Sequence, residues 1–397
     1  MVDRNTLLKL PVAHLVAFAL GLPVVACGHT APRTAVNSRE VQAKPVDLEL
    51  EQLVITQTDA DNIAKIHARG MQRLQNGDFQ GAERDFDLCV RAAPNGPHAA
   101  SALYHGGLAL DELGRFDLAL QRLLLATERL GDQPLGQAAA LRAVRIACHL
   151  ERWGIAKAEA EQLLAKKVAL RPFDVILVQG ALAMEAVMRD DDIAAEQHVA
   201  RARNALENNG LDAPGKISRD VAAVYFALGE VRRLRATRIG LVPPPPNFGV
   251  VLEQRCELIL AAQSAYSDAM RAYDAHWSTM AGYRIGELYV ALHEELMRIV
   301  PPESVTDPHQ RQLFEGAMRL RYSVLVQKAL NMMKHTLTMA ERTGEKSEWV
   351  ERTKQAEQDL AQRLVQEEAA IDRLPYSRQA LEFALLRLQA AAAGKGK

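Results

Sequence analysis

Apolar and polar positions follow one another along this chain in three regimes. From Leu10 to Ala26 the residues are largely apolar, behind a short stretch that carries Arg4 and Lys9. From residue 28 to about 57 no period is visible, and Pro32, Asn37, Ser38 and Pro45 sit among scattered charges. Such a segment is expected to be flexible. Beyond it, apolar residues recur at three- and four-residue spacings, the stripe of an amphipathic helix, and no run of alternating β-branched residues interrupts them. In the second half this spacing predicts helices over about 219–239, 249–274, 277–300, 308–342, 345–373 and 376–393. Gly240, Pro301-Pro302 and Gly344 mark three of their ends. The Pro243-Pro244-Pro245-Pro246 run cannot continue a helix and is expected to form a stiff polyproline II spacer, and the terminal Gly-Lys residues a disordered tail.

In the first half the helical stripes themselves repeat. Over 63–96, Gly70, Gly77-Asp78-Phe79, Ala82, Phe86 and Pro94 occupy positions 8, 15–17, 20, 24 and 32 of a 34-residue unit. This is the tetratricopeptide repeat (TPR) pattern. A second unit begins near Ala100, with Gly107, Gly114-Arg115-Phe116, Ala119, Leu123 and Gly131 in the corresponding places, 37 residues after the first (119 minus 82). Glu151-Arg152-Trp153 and Ala156 continue at the same step, and a fourth unit near Ile176 offers Ala183, Asp190-Asp191-Asp192, Ala195, Val199 and Ala202. Small residues at positions 8 and 20 let two helices approach, while apolar groups at 17 and 24 fill the space between units. One unit cannot bury its own apolar face, so stacking is obligatory. The expected fold is therefore all-α, a TPR-type helical-repeat solenoid, with TPR repeats over 58–210 and a TPR-like helical region over 211–393.

The N-terminal segment carries a different signal. Arg4 and Lys9, the apolar stretch and Val24-Val25-Ala26-Cys27 together resemble a bacterial lipoprotein signal peptide, residues 1–26. The resemblance implies diacylglyceryl transfer to the Cys27 thiol, cleavage after Ala26 and acylation of the new amine. A membrane-spanning helix needs about 20 apolar residues; here the run is shorter and broken by Pro11, His14 and Pro23. An ordinary secretory signal is the other reading, since Val-Val-Ala also fits small-residue cleavage. Gly28 is not the aspartate that retains lipoproteins in the inner membrane, so the resemblance favours the periplasmic face of the outer membrane. Residues 27–57 would then tether the body to the lipid, spanning about 30 Å on average.

Composition narrows the function classes. Net charge is −1, and −2 once Asp3, Arg4 and Lys9 are removed with the signal, so no field for nucleic-acid binding exists. Besides Cys27 there are Cys89, Cys148 and Cys256, an odd number within helical stripes, which read as small core residues. His293-Glu294-Glu295-Leu296-Met297 begins like a zinc-protease helix, but Met297 stands where the second histidine is needed. Asp190-Asp191-Asp192 lacks the glycine and distal glutamate of a calcium loop and reads as a solvated turn. No phosphate loop, nucleophile elbow or CxxC pair occurs, so no metal, no cofactor apart from the lipid on Cys27, and no small-molecule substrate is expected, and the chain does not read as an enzyme.

A binding face is the remaining candidate. His67, His105 and His149 fall on the first helices of successive repeats, which line the concave side of a TPR stack, and Met71, Tyr104, Leu108, Glu112, Arg142 and Arg145 should lie with them. A mixed apolar and charged groove suits an extended peptide or a partner helix. In the second half, Ala261–Tyr266, Trp277, Gly282–Tyr289 and Val300–Glu303, with Phe226–Glu230 upstream and Lys328–Leu330 and Trp349 downstream, resemble the adventurous-gliding-motility TPR family of myxobacteria, the AglT-type proteins. That resemblance implies a membrane-anchored periplasmic scaffold that holds envelope proteins, in the gliding machinery. The alternative is an accessory lipoprotein, pilotin-like or barrel-assembly-like, for outer-membrane proteins or secretins.

Overall fold

The structure, a computed structural model, describes residues 57–166, 170–211, 219–301 and 306–384, with side chains from residue 60 onward. Cys27, the apolar segment before it, the tether and the end of the last expected helix lie outside the described residues. Among those described, helices and turns account for the chain, and the fold is all-α. They fall into two compact units, one up to residue 211 and one from residue 219.

The first unit is four antiparallel helix pairs: α1 (Gln57–Gln75) with α2 (Phe79–Ala92), α3 (Ala99–Glu112) with α4 (Phe116–Leu130), α5 (Pro134–His149) with α6 (Trp153–Ala165), and α7 (Pro172–Met188) with α8 (Asp192–Asn208). Each helix packs on the next in the chain, and α1, α3, α5 and α7 also touch in succession, so the first helices form one continuous row. That row is the TPR arrangement. The spacing of small residues explains it: a Cβ added to Gly70 would lie 2.9 Å from Phe86, and one added to Gly107 2.8 Å from Leu123. In each case the partner is 16 residues on, in the second helix of the pair. Ala82, Ala119 and Ala156 are fully buried at the other close approach.

The turns inside the pairs share one device. Gly77, Gly114, Glu151 and Asp190 all take positive φ, between 55° and 78°, immediately before the residue that opens the second helix. Their successors return an N–H to the helix just ended: Asp78 to Arg73, Arg115 to Leu110, Arg152 to Ala147 and Asp191 to Ala186, at 2.8–3.0 Å. Asp78 and Asp191 then cap the new helix by accepting from Gly81 and Ala194. The acidic run is thus a turn, as its lack of a calcium-loop pattern implied.

The second unit uses longer helices: α9 (Asp220–Arg238), α10 (Phe248–Met270), α11 (Ala275–Met297), α12 (Pro308–Thr343) and α13 (Glu348–Asp372). Successive helices pack together, and α9, α11 and α13 also touch in a row. The close approaches recur here in stretched form. Gly229 faces Tyr266 across α9 and α10, and Gly282 faces Thr336 across α11 and α12, at sequence separations of 37 and 54 instead of 16. The turn between α10 and α11 repeats the first unit's device, with Tyr273 at φ 55° followed by Asp274, which caps α11.

One expectation fails. The Pro243–Pro246 run is no extended spacer: α9 and α10 on either side of it pack closely, and the run bends between them, with a cis Val242–Pro243 bond. Leu241 is fully buried and its N–H donates to Glu295 Oε1 at 2.7 Å. Buried Arg255 pairs with Glu295 and donates to the Ile239 carbonyl at 2.6 Å. Side chains of α10 and α11 therefore clamp the segment that leads into the proline run.

Candidate partner-binding face

The row α1–α3–α5 brings several of the expected face residues together and diverts others. On α1, His67 Nε2 lies 3.0 Å from Ser101 Oγ of α3. His105, one turn further along α3, donates from Nδ1 to the Ser101 carbonyl at 2.8 Å, which fixes its tautomer, and its Nδ1 is 3.2 Å from Ser101 Oγ. The Ser101 hydroxyl is then free to donate to His67 Nε2. The His67 ring stacks on His98 at 4.9 Å, and His105 stacks on Phe86 at 5.7 Å. Burial lowers the pKa of both imidazoles, and for His67 the neighbouring His98 and His105 lower it further. The hydrogen bonds through Ser101 and the ring contacts tie the first two repeats together at the surface of the row.

Ser101 and His67 stand at the separation of a nucleophile and its base. The described neighbours of His67, however, are aromatic rings and a hydroxyl, not the carboxylate that would orient it. Among the described residues, no group of three or more His, Cys, Asp or Glu is arranged to hold a metal ion. His293 of the zinc-like motif is buried in the second unit.

Tyr104 extends the cluster: its ring meets His105 edge-on at 4.9 Å, and burial raises its pKa against the opposing charge of Arg142. Leu108 follows one turn later, half-buried. Arg142 pairs with Asp111 and with Glu112 at 3.1 Å, joining α5 to α3. Glu112 is accordingly part of that bridge. His149 packs on Phe116 at 4.2 Å, at the opening of α4, and Met71 packs on the core around Phe86. Arg145 lies between these groups on α5, half-buried. Ser101 and His98 lie outside the face that periodicity outlines, since the 37-residue step from His67 leads to Tyr104 and not to Ser101.

The second unit has a comparable row that sequence reasoning did not identify as a site. Glu230 of α9, 2% exposed, accepts from Arg233 at 2.6 Å and from the Tyr266 hydroxyl at 2.7 Å, and Arg284 of α11 approaches it to 3.1 Å. Burial pushes its carboxyl up, but Arg233 and Arg284 outweigh that and hold it at about 2. Trp349 of α13 lies under Arg284 and Arg352, at 5.4 and 4.5 Å, with Tyr283 against its edge. Glu230 pairs with both Arg233 and Arg284, which makes this row a cross-link between helices.

No family model matches the chain, and no curated protein matches it. Among solved structures it is similar to a tetratricopeptide repeat protein from Parabacteroides merdae, at 14% identity and a TM-score of 0.40 over 76% of this chain and 99% of that one.

Proposed function

We propose that this chain is a lipid-anchored periplasmic scaffold that acts by holding envelope proteins and not by catalysis. The observation that carries the reading is the continuous row α1–α3–α5, whose surface offers His67, Tyr104, Leu108 and Arg145 as a half-exposed mixture of aromatic, apolar and cationic groups. Helical-repeat stacks recognise proteins through such extended surfaces. The anchor is supported by the Val24–Cys27 context, and the gliding machinery by the resemblance around Tyr283–Tyr289.

Affinity purification from crosslinked cells tests it. Tyr104→Ala combined with Arg145→Glu should reduce partner recovery while helicity is unchanged. Cys27→Ser should release the protein from the membrane fraction and abolish labelling by palmitate; retention of the variant through high-salt washes refutes the anchor. Recovery of secretin or pilus components in place of gliding proteins would reassign the complex, and hydrolysis abolished by replacing a row histidine would end the scaffold reading.

A further inference from the structure

The charged residues of the second helices in the first unit follow the 37-residue step, and one of them lacks a partner. Asp85, Arg122 and Glu159 occupy equivalent positions (85, 122 and 159) on α2, α4 and α6. Asp85 is held by Arg69 and Arg73 of its own repeat, at 2.6 and 2.9 Å. Arg122 reaches back to Glu83 and Asp87 of the repeat before, at 3.0 and 2.7 Å. For Glu159 both routes are closed. The places of Arg69 and Arg73, two steps on, are Ala143 and Ala147, and the places of Glu83 and Asp87, one step on, are Leu120 and Leu124. Glu159 is nonetheless 9% exposed, and its Oε2 is buried without a hydrogen-bond partner. An orphaned buried carboxylate oxygen is costly, so the position calls for a counter-group.

A recess opens beside it, between the end of α4, the start of α5 and α6, lined among others by Thr127, Asp132, Gln137, Gln162 and Lys166. It has room for about one water-sized group. Its chemistry favours a cation. Thr127 donates its hydroxyl proton to the Leu123 carbonyl, so it turns lone pairs outward. The carbonyl end of α4 terminates there at Gly131, adding negative partial charge. Lys166 stands at the edge with its ammonium 2.9 Å from Asp132. Burial raises the pKa of Glu159, and the Lys166 charge opposes that shift without replacing a direct partner.

We infer that the recess at Glu159 is a site for one compact cation of the ammonium class, either a free ion or the amine tip of a lysyl side chain on a bound partner. A guanidinium is too large for the space. The site lies on α4, α5 and α6 and is independent of the His67–Tyr104 cluster, so neither reading depends on the other.

The test is the unfolding midpoint of the full chain in chloride salts of ammonium, potassium, methylammonium and tetramethylammonium at one ionic strength. Ammonium should raise the midpoint saturably, by about 2–4 °C relative to tetramethylammonium. Glu159→Gln should remove that difference. A response to ammonium and potassium alone assigns the recess to a free ion; an equal response to methylammonium assigns it to an amine tip. The proposal is overturned if Glu159→Gln responds like the wild type, or if no cation differs from tetramethylammonium. It also fails if Glu159→Gln and Lys166→Met are strongly coupled, since Lys166 would then be the occupant.

Discussion

His293 makes the stability of the second unit depend on mildly acidic pH. It sits on α11 at 2% exposure, with neither ring nitrogen hydrogen-bonded. Burial pushes its pKa down to about 4, with Glu367 and Glu294 pulling it up and Arg363 and Arg319 pushing it down. In the unfolded chain the imidazole takes its proton near its ordinary value of 6.5. The folded form refuses that proton until about pH 4, so the stabilisation is complete above pH 6.5 and is lost as pH falls toward 4. At pH 4.5 the loss from this one residue should be on the order of 2–3 kcal/mol. His293→Leu keeps a comparable apolar volume and removes two unpaired nitrogens, so at pH 7 it should be neutral or stabilising by about 1 kcal/mol. Denaturant unfolding of both proteins at pH 7 and 4.5, at fixed ionic strength, measures the effect. Burial also lowers the pKa values of His67, His105 and His198, which act in the same direction. They are common to both proteins, so the change in the gap between variant and wild type isolates His293. A gap that is the same at both pH values refutes the argument.

Three further outcomes follow from the packing. Ala119→Leu should overpack the contact between α3 and α4 and lower stability by about 1–3 kcal/mol in urea unfolding, since Ala119 is fully buried. Tyr273→Gly should raise stability by about 0.5–1 kcal/mol, because the residue is 84% exposed and holds a left-handed conformation that strains any side chain. Glu230→Ala should cost about 3–5 kcal/mol by thermal unfolding, as Arg233 and Arg284 lose their common carboxylate.

What the sequence revealed depended on whether a contact was close in the chain. The first unit was legible because Gly70 and Phe86, then Gly107 and Leu123, stand 16 residues apart and recur after 37. In the second unit the same kind of contact joins Gly229 to Tyr266 and Gly282 to Thr336, and longer helices hid the repeat while leaving each helix visible by its own stripe. Its turn at Tyr273 carries no glycine to announce it. On the candidate face, periodicity placed His67 and His105 on one side but could not say what each side chain meets. It does not show that Arg142 bridges to Asp111 and Glu112, or that Ser101 joins the two histidines. The proline run was misjudged for a related reason. Polyproline II preference is local, whereas Arg255 and Glu295, which fix the segment before it, are 16 and 54 residues from the groups they bind.

That clamp changes what the loop between α9 and α10 is for. A proline-rich connection normally marks a seam where a chain can be cut, permuted or extended without disturbing its neighbours. Here, freeing the loop takes the Ile239 carbonyl from buried Arg255 and the Leu241 N–H from half-buried Glu295 and uncovers Leu241, so it does not open by itself. Helices α9, α10 and α11 should therefore open and close as one cooperative block, with amide exchange around Leu241 as slow as in the helix interiors it connects.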